Sequence, residues 1–396
     1  MKYDFDKPVS RWGTHSYKWD SAKSEEVLPM WVADMDFYTA PAIVDAMRNW
    51  VEHGIFGYTR VPDSYYEAVT NWFSRRHGWT INHDWMIYTS GVVPAVSAVI
   101  KALTTPGDKA LVQTPVYNCF FSSIRNNGCE IVSSPLLKTG DIYRIDFDDL
   151  ERKAADKKVK VMLLCNPHNP VGRVWTRKEL MRVGEICLRH GVTVVSDEIH
   201  GELVFPEHVY LPFASLSDEF LRCSVTCISP SKAFNIAGLQ IANIVCADTE
   251  MCRKIDKAIN INEVCDVNPF GIIATIAAYN EGEEWLNQLL DYLHGNYICM
   301  RDFCREHLPD FPITRLEGTY LVWMDCRALG LTSEVLEQRL IDAGLWLNAG
   351  TMYGAEGEGF MRWNIACPRA RLVEGLRRFV SFAYPADYNI NISKCY

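Results

Sequence analysis

Short β-branched and apolar runs alternate with amphipathic stretches through the middle of the chain. "KALVQ" (109–113), "EIVSS" (130–134), "VKVMLLC" (159–165), "VTVVS" (192–196), "SVTCI" (224–228) and "IANIVCA" (241–247) have the length and residue types of strands. Between two of them, "TRKELMRVGEICLRH" (176–190) repeats its apolar residues at helical spacing, and Thr176 followed by Glu179 is the pattern of a capping box. Strand, helix, strand at this spacing predicts an α/β fold with a largely parallel sheet sandwiched by helices. Strands covered on both faces need no polar alternation, which accounts for their continuous apolar character.

The two ends of the chain read differently. "TYLVWMDCRAL" (319–329) and "GFMRWNIACP" (359–368) predict strands, and "SEVLEQRLIDAG" (333–344) and "RLVEGLRRFVSFA" (371–383) predict helices. The expected organisation is a large domain over 46–284 and a smaller α+β domain built from 1–45 and 285–396. A chain of 396 residues suits two such units.

Composition narrows the function classes. Hydrophobic residues make up 48% and charged residues 22%, which is the profile of a globular protein. The net charge of −9 comes without a dense Lys/Arg block, so nucleic-acid binding is not expected. The N-terminus "MKYDFDKPVSRWG" lacks an apolar signal segment, and nowhere do about 18 apolar residues run together. A cytoplasmic chain that neither enters nor crosses a membrane is expected. The 14 cysteines are scattered and form no C-x-x-C pair, so reduced core thiols are expected and a metal site is not. Cys223 and Cys227 in "CSVTC" are expected on one face of a strand.

Ligands of open parallel sheets bind beyond the carboxyl ends of the strands, so the residues after each apolar run carry the most information. "NPHNPVG" follows the run ending at 165 and brings Asn166 and Asn169. "DEIH" follows the run ending at 196 and brings Asp197 and His200. "SPSK" follows the run ending at 228 and brings Ser229, Ser231 and Lys232. Upstream, "YTSGVVPAVSAVIKAL" (88–103) reads as a small-residue turn opening a helix, whose free N–H groups and positive dipole end suit a phosphate. A phosphate seat, a carboxylate and an amine on one rim describe pyridoxal 5′-phosphate (PLP) chemistry. The lysine forms the Schiff base, and the carboxylate keeps the pyridine nitrogen protonated. Asn169 suits the ring's phenolate oxygen, and Tyr117 in "TPVYNCF" offers a flat face. Taken singly, each residue has a plainer reading: a solvated lysine, an aspartate cap, a structural histidine, a core tyrosine. Their meeting on successive strand ends favours the chemistry. The glycine pattern "GAEGEGF" (354–360) is not read as a phosphate loop, because its glutamates repel phosphate and no helix follows.

"MWVADMDF", "NPHNPVGRVW", "SDEIHGEL", "SPSKAFNIAGLQ" and "EGTYLVWMD" together resemble the class I/II aminotransferase superfamily, PLP fold type I. Within it they are most similar to the branch of cystathionine β-lyase and cystalysin-type C–S lyases. The likeness runs from about residue 3 to about 383. It implies roles for matching positions: Lys232 as Schiff-base lysine, Asp197 at the pyridinium nitrogen, Asn169 at the ring oxygen and Tyr117 stacked on the ring. The amides of Val92 and Val93, with Ser229 and Ser231, would hold the phosphate. Arg362 in "FMRWNIACP" matches the arginine that clamps the substrate carboxylate, and Tyr58 in "GIFGYT" matches a catalytic tyrosine lent by the neighbouring subunit of a homodimer.

Two positions depart from the wider aminotransferase pattern: His200 stands where a tyrosine is usual, and Gln240 where a phosphate-binding arginine is usual. Both agree with the lyase branch. The resemblance therefore implies α,β-elimination of L-cystathionine or another cysteine S-conjugate to a thiol, pyruvate and ammonia. Transamination remains the alternative that residues alone do not separate. A further role, binding a transcription activator, is implied by one member of the branch.

Overall fold

Seven strands form the central sheet: β1 (Met86–Thr89), β2 (Lys109–Val112), β3 (Glu130–Ser133), β4 (Val159–Cys165), β5 (Thr193–Asp197), β6 (Ser224–Ile228) and β7 (Ala242–Val245). The computed structural model describes residues 3–261 and 268–385. The strand order is β1-β7-β6-β5-β4-β2-β3. Strands β2 to β6 pair in parallel, and β7 runs antiparallel to both β1 and β6. Successive side chains of a strand point to opposite faces, and in β4 both faces are apolar. Met162 and Leu164 pack with Leu180, Val183 and Ile186 of the helix Arg177–His190. Val161, Leu163 and Cys165 pack with Val96, Val99 and Ile100 of the helix Val92–Leu103 on the other side.

The helix after β4 begins as its sequence predicts. The Thr176 hydroxyl accepts from the Glu179 N–H, and the Glu179 carboxylate accepts in return from the Thr176 N–H. It ends at Gly191, whose φ of +67° is the left-handed conformation glycine tolerates best.

Two expectations need correction. The run 319–329 is a strand only over Leu321–Asp325. The Asp325 carboxylate then draws back the Arg327 N–H and guanidinium, and a short 3-10 turn over Arg327–Leu329 closes on Gly330. Cys223 does not share a strand face with Cys227: it caps the short helix Asp218–Arg222, its N–H bonded to the Glu219 carbonyl, so β6 starts one residue later.

Leu321–Asp325, Asn348–Ala349 and Phe360–Asn364 form a second, antiparallel sheet. Leu28–Pro29 pairs in parallel with Leu345–Trp346, which ties the N-terminal segment to the C-terminal part. The divisions drawn at 46 and 285 fall inside the helices Pro41–His53 and Glu283–His307. Residues 386–396 of the expected second unit lie outside the described residues.

Residues 31–37 form a strap that crosses from the small sheet to the large one. The Asn364 amide donates to the carbonyls of Val32 and Asp34. The Asn235 amide donates to those of Met35 and Phe37 (3.0 and 2.9 Å) and accepts from the Met35 N–H (2.9 Å). Asp36, buried at its end, meets Lys18 at 3.1 Å, Arg11 at 3.0 Å and Arg371 at 2.9 Å, and accepts from the Trp19 indole. Burial raises the Asp36 pKa, but Lys18, Arg371, the Trp19 bond and Arg11 outweigh it, so the net shift is downward.

Asp36→Ala leaves these cations without their counter-charge, and the expected loss of stability is roughly 3–5 kcal/mol, as for other broken buried ion pairs. Because the folded-state pKa is depressed, the contribution of Asp36 is fully present above the unfolded aspartate value of about 4 and is lost as pH falls through the lower folded value. Thermal unfolding of wild type and variant between pH 7 and pH 3 checks both points. An unchanged midpoint at pH 7 would show that the cluster contributes nothing.

Candidate active site

Register brings the strand ends into line: Cys165 of β4 lies opposite Asp197 of β5, and Asp197 opposite Cys227 of β6. The segments that follow therefore emerge along one rim. They meet the strap and the small sheet around a cavity of about 370 Å³. Lys232, Asp197, Asn169, His200, Tyr117, Val92, Val93 and Arg362 all line it.

The Lys232 amine donates to the Ala33 carbonyl of the strap at 2.6 Å. Burial pushes its pKa down to about 8, with Arg362 acting in the same direction and Asp34 and Asp197 opposing. Asp197, the last residue of β5, is buried, and its Oδ1 accepts the Ile199 N–H at 3.1 Å. Burial lifts its carboxyl to about 7; the Ile199 bond and Lys232 hold it down, and Glu198 adds to the rise. Close to neutrality the amine and the carboxyl each stand near their titration point.

Arg362 is only 3% exposed. It donates to Asn169 Oδ1 (3.2 Å) and to the Trp31 carbonyl (2.8 Å), and its guanidinium lies 4.9 Å from the centre of the Tyr353 ring. Its Nε has no partner, and its bonds go to neutral oxygens. Among the described residues it is not held in a salt bridge, which argues against the plain structural reading of that arginine. Asn169 spends its amide oxygen on Arg362, which leaves its NH2 group for a ligand. His200 Nδ1 is buried without a partner, and burial together with Lys232 and Arg362 holds the ring well below its ordinary pKa and so neutral.

The helix Val92–Leu103 opens on Gly91, which offers no side-chain cap. The first intrahelical bond there runs from Ala95 N–H to the Gly91 carbonyl, and Pro94 has no N–H. The Val92 and Val93 amides are thus the unsatisfied donors of the first turn.

Three expected residues stand elsewhere. Ser229 and Ser231 are not among the residues that line the cavity, and the Ser229 hydroxyl is engaged, donating to the Ile241 carbonyl (2.6 Å) and accepting from the Ser231 N–H (3.1 Å). Tyr58 is 99% exposed and is absent from this cavity. The strap contacts were not anticipated. Trp31 and Ala33 act through backbone carbonyls, which residue type does not announce, although "MWVADMDF" marked the segment. Asn348, bonded to the Trp31 carbonyl and the Tyr353 hydroxyl at 3.0 Å each, gave no sequence signal.

These residues fit PLP. A carboxyl whose pKa is raised by burial suits a pyridinium nitrogen, and two free amides at a helix N-terminus suit a phosphate. An amine near its titration point suits an aldehyde carbon.

The comparisons agree. Residues 26–379 match the family model described as aminotransferase class I and II. The chain is 45% identical over 380 residues to the cystathionine β-lyase PatB of Bacillus subtilis, covering 95% of this chain and 98% of that protein. Among solved structures, PLP-containing cystalysin of Treponema denticola is 34% identical with a TM-score of 0.94, covering 97% of this chain and 99% of that one. The PLP-bound C–S lyase of Staphylococcus hominis is 32% identical with a TM-score of 0.90, covering 98% and 100%. With its fold, its strand-end residues and this full-length likeness in agreement, the chain belongs to the aminotransferase class I and II family.

Proposed function

We propose that the protein is a PLP-dependent carbon–sulfur β-lyase that cleaves L-cystathionine or other cysteine S-conjugates to a thiol, pyruvate and ammonia. The observation that carries this reading is the full-length likeness to a cystathionine β-lyase, joined to a cavity whose amine, carboxyl and guanidinium are all uncommitted to ion pairs within hydrogen-bond reach. PLP supplies an electron sink conjugated with the substrate's Cα, which makes the Cα proton labile.

The chain's own residues supply the rest. Lys232 would hold the cofactor, and its amine, whose pKa burial lowers to about 8, would serve as the base for the Cα proton and as the donor of a proton to the departing thiolate. Asp197 would face the pyridine nitrogen as a carboxylate and favour its protonated form. Asn169 would offer its NH2 to the ring oxygen, and Tyr117 would cover the ring face. The Val92 and Val93 amides would hold the phosphate together with Ser229 and Ser231, and His200 would stand neutral near the cofactor. Arg362, already oriented by Asn169 and Trp31, grips the substrate carboxylate.

The enzyme is further proposed to work in the cytoplasm as a homodimer with Tyr58 reaching the partner's cofactor. The segment around Tyr58 exposes Ile55 and Phe56 as well, which suits a covered surface. No helix among the described residues is long and apolar enough to cross a membrane.

Incubation with L-cystathionine is expected to release homocysteine, pyruvate and ammonia with no added 2-oxo acid. Strict dependence on an oxo acid without thiol release would establish an aminotransferase instead. Arg362→Lys is expected to raise KM by the equivalent of about 2–4 kcal/mol, because a point charge replaces a two-pronged donor on a desolvated carboxylate. An unchanged KM would assign Arg362 to structure alone. Sharing of Tyr58 is tested by complementation. Lys232→Ala and Tyr58→Phe, each impaired, are unfolded and refolded together. Half the dimers formed are mixed, and each carries one intact site, so recovery to about a quarter of wild-type activity is expected. Activity held at the level of the separate variants, with mixed dimers present, would show that Tyr58 serves its own subunit.

A further inference from the structure

The mouth of the cavity is apolar to a degree that the chemistry at its floor does not require. Tyr17 (73% exposed), Met352 (40%) and Val93 (37%) are large hydrophobic side chains left facing water, and all three line this cavity. Tyr17 leans on Trp31, with ring centres 5.3 Å apart at 50°. Trp31 in turn stacks on Trp346 at 4.2 Å and 11°. Both indoles are pinned by their N–H groups, Trp31 to the Lys18 carbonyl (3.2 Å) and Trp346 to Glu337 (3.4 Å). The wall is therefore formed before any ligand arrives, and a rigid aromatic surface takes up an apolar group at little entropic cost.

The charges point the same way. Among the described residues lining the cavity, the charged side chains are Asp197, Lys232 and Arg362. In the lyase reading, on which this inference rests, Asp197 and Lys232 serve the cofactor and Arg362 takes the substrate's α-carboxylate. Among the described lining residues of this chain, no counter-charge is left for a second amino-acid head on the far side of the sulfur. A charged group brought there loses hydration without a partner, whereas an alkyl or aryl group gains contact.

We infer that the enzyme selects cysteine S-conjugates whose sulfur carries an uncharged apolar substituent, with Tyr17 and Trp31 as the specificity-determining wall. Cystathionine, with its zwitterionic distal end, is then a poorer substrate than an S-aralkyl cysteine.

The test compares pyruvate release from S-benzyl-L-cysteine, S-methyl-L-cysteine and L-cystathionine by the PLP-loaded enzyme. S-benzyl-L-cysteine is expected to exceed L-cystathionine in kcat/KM by about tenfold or more, the scale of discrimination that a few apolar contacts provide. Tyr17→Ser, at an exposed position, is expected to lower the benzyl-to-methyl ratio of kcat/KM at least about threefold, mainly through KM. In wild type, benzyl thiol is expected to inhibit as product at lower concentration than homocysteine. L-cystathionine matching or exceeding S-benzyl-L-cysteine would overturn the inference and leave the lyase reading intact, as would a benzyl-to-methyl ratio unmoved by Tyr17→Ser. Absence of pyruvate from all three conjugates would overturn the lyase reading itself, and this inference with it.

Discussion

The active site hangs on a seven-residue strap. Residues 31–37 belong to no strand or helix, yet their carbonyls receive both cations of the cavity, Lys232 at Ala33 and Arg362 at Trp31. The asparagines that clamp the strap sit beside those cations in sequence: Asn235 three residues after Lys232, and Asn364 two residues after Arg362. Each clamp thus fixes the strap and the cation's own backbone together, and the spacing between amine and guanidinium follows from one short piece of chain. Asn235 takes a φ of +54° to do this, a conformation asparagine bears better than most side chains. The buried Asp36 cluster anchors the strap's far end, where a loop without a ladder would otherwise leave the backbone loosely held.

Burial sets the charge states inside that frame. An isolated amine and an isolated carboxyl differ by more than six units in pKa, but at these two strand ends desolvation draws them to about 8 and about 7. Burial leaves both groups close to neutrality in their balance between charged and uncharged forms. A ligand that presents a cation to Asp197 and an anion to the helix N-terminus removes the penalty that burial imposes on both. His200 contributes by remaining neutral: a third cation beside Lys232 and Arg362 would push the amine's pKa down further and compete for the same anions. The cavity's electrostatics therefore favour one arrangement of opposite charges over any single ion.

The parts of this design that the sequence disclosed are those with a period or a strong residue type. β4 was legible to the residue because five consecutive buried positions, 161–165, leave no other element that covers both faces. The strand ends were legible because amides, carboxylates and the lysine follow apolar runs directly. β1 is not announced as a strand: its last two residues fall in the stretch 88–103 that reads as a turn opening a helix, and "MIYT" is short, partly polar and supported by pairing with β7, a distant contact. The end of the strand at Asp325 depended on one carboxylate folding back on Arg327, which no propensity encodes. The strap was visible as a motif and opaque as a mechanism, because its contribution is made by carbonyl oxygens that every residue possesses.

That division of labour bears on how such a site changes. In the proposed reaction, proton handling falls to residues at the strand ends of the large sheet, where register locks Cys165, Asp197 and Cys227 abreast and a shift of one residue would turn Asp197 to the opposite face. The wall facing the leaving group comes from other chain segments: Tyr17 and Trp31 before the sheet begins, and Met352 after it ends. Exposed side chains such as Tyr17 tolerate replacement with little effect on folding, while the strand-end residues do not have that freedom. The leaving group a molecule of this design accepts is therefore set by residues that the sheet's packing barely constrains, and the reaction it performs by residues that packing constrains most.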